Sequence, residues 1–578
     1  MLMLPTTCWE VSESDSSSGE RFARELGIHP LISLILQSRG IATCDDARKF
    51  LYPSLGDLHN PFLMKDMDKG VNRTLRAILN NEKIVIYGDY DVDGITSVVC
   101  LVKFLGEIGG NVSYYIPHRL SEGYGIHKKS VDVLRERGAT LIISVDCGIS
   151  DHEAISYAGS CGIDTIVLDH HEVPSTIPDA SAVINPHQKD CLFPFKQLAG
   201  VGVVFNFLIA LRGRLRTDGF WNDKSYPNLR EYLDLVALGT IGDLVPLIDE
   251  NRIFAKIGLG VLTEGRREGL QALKSICGIE SNHVIEADTA SFSLIPRINA
   301  SGRVGSPYDA LRLLLTENHD EAFRIAALLD SCNRERQEIE RAIYEEIRVE
   351  IETNVNLETT PFLVFSSPGW HPGIIGIVAS RLVNRYYRPV ILISIQDGIG
   401  KGSGRSISDY NLYEGLKNNC APLLISFGGH RFAAGITIEE KNIALLASIL
   451  NEEIRKNHAH MNMQPKTTID ARCSLADIDY NLVSQLELLA PFGNNNPEPV
   501  FCADNIRVSS STVVGNNHLK MSVHSEGNSF DSIWFSRGQF TAMLLGSTVS
   551  VAFTPQINRW NGGTSLQLKV RDITQKPS

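Results

Sequence analysis

The stretch YGDYDVDGITS sets three aspartates, Asp89, Asp91 and Asp93, at alternate positions and follows them with Gly94. An EF-hand calcium loop begins this way, but it needs a bidentate Glu at its twelfth position. Counted from Asp89 that position is Cys100, so calcium fits poorly. More acids and imidazoles close other segments: Asp146 in SVDCG, Asp169, His170 and His171 in VLDHHE, and Asp243 in LGTIGDLVPL. Carboxylates gathered in one place raise one another's pKa unless a cation lies between them. A mixed Asp/His set suits a transition ion such as Mn2+ better than Ca2+, which prefers oxygen alone. An acid-rich cluster can hold two ions roughly 3.5–4 Å apart, an arrangement that serves phosphoester hydrolysis. Taken singly, each Asp could instead be a helix N-cap. That is the reading for Asp151 in GISDHEA. Asp89 stands evenly between a ligand and a support for one. The constellation as a whole reads as a metal site.

These residues meet only if the chain gathers its strand ends. From Lys83 onward, KIVIYGD, VSYYIP, TLIISVD, DTIVLD and SAVIN are short β-branched runs, with helical stretches such as TSVVCLVKFLGEIG and KKSVDVLRERG between them. Continuous apolar strands alternating with helices predict a parallel sheet buried on both faces. In an open parallel sheet the carboxyl ends of the strands share one edge, where ligands bind. The acidic motifs all follow such strands.

Later segments differ. HDEAFRIAALLDSCNRERQEIERAIYEEIRVEIET has neither Pro nor Gly, and Ile339, Ile343, Ile347 and Ile351 recur every four residues, predicting one long helix. It suits a bridge between domains, though its first half reads equally well as a surface helix of the first domain. A second α/β unit runs from TPFLVFSSPGW to the Gly-rich ISFGGHRFAAG. From about Thr467, short strands separated by turn residues predict a small antiparallel barrel. The spans are 1–60 (N-terminal region), 61–318 (first α/β domain), 319–354 (connecting helix), 355–460 (smaller α/β domain) and 467–575 (barrel).

Composition narrows the class. The 578 residues are 43% hydrophobic and 21% charged, with a formal net charge of −12. A nucleic-acid site must then be a local basic channel in an acidic protein. Eleven cysteines without a C-x-x-C pair argue against a disulfide framework and a zinc finger. The start, MLMLPTTCWEVSESDSSSGE, lacks the basic flank and apolar core of a signal peptide. VGVVFNFLIAL is too short to span a bilayer. The expectation is a soluble cytoplasmic protein with no membrane association.

Phosphate oxygens favour bidentate guanidinium donors and backbone N–H groups. Arg119 in HRLSEGYG, Arg297 and Arg303 in RINASGR, and Arg405 in GSGRS lie in suitable contexts. Ser403, Gly428, Gly429 and His430 belong to Gly-rich segments where backbone can approach a phosphate. At least one of the four arginines is expected to pair with an acid instead. In the barrel, Phe501, Phe530, Trp534, Phe535, Phe540 and Trp560 lie near Lys520, Arg537 and Arg559, a mixture suited to stacking on single strands. Core packing is the expected fate of at least half of these aromatics.

Asp91-Val-Asp93-Gly, Asp146 in VDCG, Asp169-His170-His171 and Asp243 resemble the motifs of the DHH phosphoesterases. GDYDVDGITS, HRLSEGYG, LDHHE, LGTIGDLVPL, RINASGR, GWHPGIIGIVASRL, GSGRS and GGHRFAAG resemble, in order, segments of the RecJ single-strand-specific exonucleases within that family. The resemblance implies a DHH domain, a smaller DHH-associated domain and an OB-type barrel. It implies metal ligands at Asp91, Asp93, Asp146, His170 and Asp243, with Asp146 bridging two Mn2+ or Mg2+ ions. Asp89 is carried over beside them. His171 would meet the scissile phosphate or orient the site, and Asp169 would hold a histidine. In such proteins the second domain closes over the first and its loops help hold the 5′ end. The implied activity is 5′→3′ exonucleolytic hydrolysis of single-stranded DNA to 5′-mononucleotides in recombination and repair. Implied partners are a single-strand-binding protein and a helicase, with the chain itself a monomer.

Two other readings compete. A DHH phosphodiesterase for short oligonucleotides or cyclic dinucleotides shares the core but generally lacks the barrel. A non-enzymatic replication scaffold should have lost ligands, and none of the five is missing. In PFGNNNPEP, Asn495 stands where related proteins often have Gly, and Asn tolerates a left-handed backbone. Because every expected ligand lies upstream of Thr467, the barrel is expected to be separable from catalysis.

Overall fold

The computed structural model describes residues 4, 7–12, 16–119, 121–221, 226–457, 463–560 and 563–575. The five β-branched runs form strands Ile84–Gly88, Val112–Tyr115, Leu141–Val145, Asp164–Leu168 and Ala182–Ile184. All neighbouring pairs are parallel, as the continuous apolar runs predicted. Taking the strands in chain order, the spatial order is 2-1-3-4-5. Chain direction across the sheet reverses between the first and third strands, so the switch point lies between Gly88 and Val145. The acidic motifs leave the sheet there. Ile84, Ile86, Leu141, Ile143 and Val145 are buried against helices Val92–Glu107 and Gly200–Thr217 in the largest core.

The long helix runs His319–Asn354, and both readings of it hold. Ala322, Ile325, Ala326 and Leu329 of its first half join the core of the first domain. Ile343, Tyr344, Ile347 and Ile351 of its second half join the core of the smaller domain. One rigid rod is therefore glued to a different core at each end. The smaller domain carries a five-stranded mixed sheet whose middle strand is Ile399–Arg405.

Strands Phe501–Val514, His518–Ser525, Asn528–Trp534, Thr548–Trp560 and Gly563–Thr574 close into a barrel. The first pairs with the fourth as well as the second, and the third pairs in parallel with the fifth. That is the five-stranded OB arrangement. Phe501, Trp534 and Phe540 fill its core, Phe530 packs against that core, and Phe535 stays 48% exposed. Trp560's side chain lies outside the described residues. Lys520 pairs with Asp531, which weakens its claim as a phosphate donor.

The barrel is not a detachable module, contrary to the sequence-based expectation. Ile32, Ile35, Leu36 and Leu51 of the N-terminal region share its core. Strand Cys8–Val11 pairs in parallel with Lys466–Ile469. Removing the chain from Thr467 would strip the cover from those N-terminal helices. All eleven cysteines are free thiols. No helix among the described residues is long and apolar enough to cross a membrane.

Candidate active site

Asp91 is the N-cap of helix Val92–Glu107, and its Oδ1 accepts hydrogen bonds from the N–H groups of Asp93 (2.9 Å) and Gly94 (3.1 Å). Capping and membership of the acidic cluster are thus compatible. Gly94 leaves room for this turn: a Cβ there would stand 2.6 Å from the Asp89 carbonyl oxygen. The buried Asp93 carboxylate accepts from the N–H groups of Gly200 (2.7 Å) and Val201 (2.8 Å) at the start of helix Gly200–Thr217. The helix dipole favours a negative charge at that end. Asp146 follows its strand with a left-handed φ of 58°. A Cβ on Gly200 would come within 2.9 Å of Asp146, so only glycine lets the two elements approach this closely. Asp243 caps the carboxyl end of helix Leu233–Gly242.

These elements converge on His170. Its Nε2 lies 3.1 Å from Asp146 Oδ1, 3.6 Å from Asp243 Oδ2 and 4.0 Å from Asp93 Oδ2. It is buried and makes no hydrogen bond, and the same is true of Asp89 Oδ1. Three overlapping groups have ligand-type atoms within 4.8 Å of one another: Asp146 with His170 and His171, Asp93 with His170 and Asp243, and Asp89 with Asp91 and Asp146. Asp146 and His170 each belong to two of them, so the three groups form one continuous cluster. Orphaned buried atoms aimed at surrounding carboxylates, with an Asp/His donor set, fit Mn2+ or Mg2+.

The electrostatics agree. Burial, then repulsion from Asp243, pushes the Asp93 carboxyl up to about 7. Burial and Asp93 push Asp146 well above the carboxylate range, and burial and Asp91 do the same to Asp89. Such an edge favours a bound cation. Asp169 behaves differently. Burial opposes its charge, yet His171 beside it holds it well below the usual range. Burial likewise works against His171, but its bond to Asp169 (2.7 Å) raises it to about 9. Asp169 also accepts from the N–H groups of Ile149, His170 and His171, so it fixes the whole turn.

A basic cavity adjoins the acidic edge. His118, Arg119, Gly302, Arg303 and His371 line a space of about 100 Å³. Arg119 stacks over Tyr90, the residue between Asp89 and Asp91, at 4.8 Å. Gly302 packs so tightly that a Cβ would meet the Tyr90 carbonyl at 2.4 Å. Arg303 Nη1 donates to the Gly373 carbonyl (2.7 Å), joining the first domain to the second. Burial and then Arg119 lower Arg303 to about 10, and the same two causes lower Arg405. Arg405 Nη1 donates to Ser403 Oγ (3.1 Å) and to the Gly404 carbonyl (2.7 Å). Ser403, Gly435 and Gly428 sit in register across three strands, leaving a floor of small residues on that face. Gly429 and His430 follow at an exposed corner. Arg297 is the exception. Its guanidinium pairs with Asp330 at 2.9 Å and donates to the Ser293 carbonyl, so it is removed from the phosphate set. Asp151 stands at the N-cap of helix His152–Ser160, as expected, but its side chain makes no cap bond and instead accepts from the Ile126 N–H (2.7 Å), bracing the HRLSEGYG loop.

Two neighbours carried no signal in the sequence beyond lying in quoted motifs. Tyr124 donates to the Asp146 carbonyl (3.0 Å) and lies 3.2 Å from His171 Nδ1. His371 accepts from the Gly373 N–H at Nδ1 (3.1 Å), which leaves Nε2 as its protonated nitrogen. A lone Tyr or His obeys no spacing rule that would single it out.

Acids at the switch point of a parallel sheet, beside a basic cavity closed by a second domain, define a metal-dependent phosphoesterase. Residues 83–240 match the DHH family, N-terminal domain, 359–456 the DHHA1 domain, and 469–572 the RecJ OB domain. The chain is 38% identical over 569 residues to the single-stranded-DNA-specific exonuclease RecJ of Bacillus subtilis (strain 168), covering 98% of this chain and 70% of that one. It is 35% identical over 560 residues to the Escherichia coli (strain K12) protein of the same name, covering 94% and 96%. The crystal structure of RecJ in complex with Mn2+ from Thermus thermophilus superposes with a TM-score of 0.84 at 28% identity, covering 99% of this chain and 80% of that one. A Mg2+ complex from the same organism gives 0.77 at 27% identity, covering 99% and 79%. The chain belongs to the RecJ family.

Proposed function

We propose that this protein is a single-stranded-DNA-specific 5′→3′ exonuclease that releases 5′-mononucleotides in DNA recombination and repair. The observation that carries the reading is the junction at Tyr90, where the acidic edge and the Arg119–Arg303 cavity touch. It suits a strand whose 5′ end sits among arginines while a nearby phosphodiester lies over the acids. Asp91, Asp93, Asp146, His170 and Asp243 would hold Mn2+ or Mg2+, with Asp89 beside them. When bound, such ions activate water and neutralise charge on the phosphate. His171, held by its bond to Asp169, would meet the scissile phosphate. Tyr124 limits its rotation. Arg119, Arg303, Arg405 and Ser403 would receive the terminal phosphate, with the backbone at Gly428 and Gly429 and the corner at His430 lining the approach. The His371 Nε2–H supplies a neutral donor from the second domain. The barrel would guide the strand, with Phe535 as an exposed stacking surface. By family resemblance a single-strand-binding protein and a helicase deliver substrate to a monomeric cytoplasmic enzyme.

The test uses single strands carrying a 3′ label and a 5′ phosphate, with Mn2+ or Mg2+ and the products resolved by length. Progressive shortening with retention of the 3′ label is expected, together with resistance of blunt duplex. Release of the 3′ label first, or equal attack on duplex, would overturn the reading. Cleavage confined to strands of a few nucleotides would favour the oligonucleotide phosphodiesterase instead.

A further inference from the structure

Asp243 is the one candidate ligand at a helix carboxyl end, where the backbone runs out of helix hydrogen bonds. Its N–H still reaches the Gly239 carbonyl (2.9 Å), but the chain then turns through Leu244 at a left-handed φ of 60°. For a non-glycine residue that conformation is sterically unfavourable. The Leu244 side chain is 71% exposed, so its packing does little to hold the turn. The restraint comes from a different part of the chain. Asn494 Nδ2 donates to the Leu244 carbonyl (2.9 Å), and the Leu247 N–H donates to the Asn494 carbonyl (2.8 Å). Gly493 lies so close that a Cβ there would stand 2.7 Å from Leu247 Cδ1.

The segment 488–497 that leads into the barrel is itself clamped. Asn496 Nδ2 donates to the carbonyls of Leu489 (2.9 Å) and Pro491 (2.7 Å). Arg252, which lies shortly after Asp243 in the chain, donates to the carbonyls of Leu488, Leu489 and Ala490 and to that of Phe50, over whose ring it stacks at 3.8 Å. Lys256 adds bonds to the carbonyls of Leu51 and Leu488. The helix Asp249–Glu264 thus grips the base of this segment, and the segment's tip grips the turn after Asp243.

We propose that Asn494 is a positioning residue for Asp243, through which the barrel and N-terminal body set the metal affinity of the acidic edge. This rests on the reading of Asp243 as a metal ligand. Asn494 touches neither metal nor substrate; it fixes the backbone that aims the carboxylate. The barrel and the acidic edge are therefore mechanically connected.

The experiment titrates Mn2+ into the full-length protein by calorimetry, without DNA. Asn494→Ala, and the isosteric Asn494→Asp, which has no donor for the Leu244 carbonyl, should each weaken Mn2+ binding about fivefold, the worth of one hydrogen bond of this kind. Turnover at limiting Mn2+ should fall by the same factor and return with excess Mn2+, while KM for a long single strand stays unchanged. Asn495→Gly, whose native φ of 56° glycine accepts, should leave Mn2+ affinity unaltered. Folding is checked by circular dichroism and melting temperature. Unchanged Mn2+ affinity in both Asn494 variants would overturn the proposal, as would a loss that excess Mn2+ cannot restore. Asp243→Asn separates the two claims. If it weakens Mn2+ binding strongly while the Asn494 variants do not, only the coupling fails. If Asp243→Asn leaves binding intact, the ligand reading itself fails.

Discussion

The acidic edge and the basic cavity touch at Tyr90 but are built on different plans. Every acid and both histidines of the edge come from the first domain, set at strand ends and helix termini that one core holds in place. The cavity takes Arg119 and Arg303 from the first domain and His371 from the second, with Arg405 behind them. Like charges crowd both sites. The edge is arranged to be neutralised by cations and the cavity by a phosphate. The metal site should therefore survive disturbance of the interdomain contact, whereas the phosphate site should not.

The largest effect should come from the edge. Asp93→Ala, Asp146→Ala or His170→Ala should abolish Mn2+ binding by calorimetry and lower cleavage by at least about a thousandfold, since each removes part of a preorganised electrostatic site. Cleavage near the wild-type rate with Mn2+ present would break the comparison at its stronger side. Arg303→Ala and Arg405→Ala should act next. Each should raise KM for 5′-phosphorylated strands about tenfold or more, the worth of a charge-assisted hydrogen bond, and leave Mn2+ affinity alone. His371→Ala should cost less, about fivefold, because it removes a neutral donor. Its effect should vanish on 5′-hydroxyl strands, a split that separates recognition from folding. Arg297→Ala should have no effect on end recognition. It leaves the buried Asp330 with Arg334 as its one remaining ion-pair partner, so the melting temperature should fall, by the equivalent of about 1–3 kcal/mol. A change in 5′-phosphate preference would return Arg297 to the phosphate set.

How much of this could be read beforehand depended on the length scale of the signal. The five parallel strands and their acids were legible because β-branched runs and Asp placement repeat at regular intervals. The long helix was legible from Ile339, Ile343, Ile347 and Ile351, and its two cores explain why its first half read two ways. Arg297 and Arg303 sit in one motif, and nothing local says that one faces Asp330 and the other Gly373; tertiary contact decides it. The barrel aromatics divided for the same reason, with Phe501, Trp534 and Phe540 in the core and Phe535 outside. The tie between Asn494 and Leu244 joins residues 250 positions apart, beyond any local pattern. It is the reason the barrel cannot be treated as an appendage of the site.

The most direct measurement is kcat/KM for one short single strand bearing either a 5′ phosphate or a 5′ hydroxyl, at fixed saturating Mn2+, in wild type, Arg303→Ala, Arg405→Ala and the double variant. If both arginines act on one phosphate across the domain interface, the wild-type preference for the 5′ phosphate falls about tenfold in each single variant. The double variant then loses clearly less than the product of the two, because residues sharing a partner are not additive. An undiminished phosphate preference, or losses that multiply in full as for independent sites, would contradict a phosphate pocket shared by the two domains.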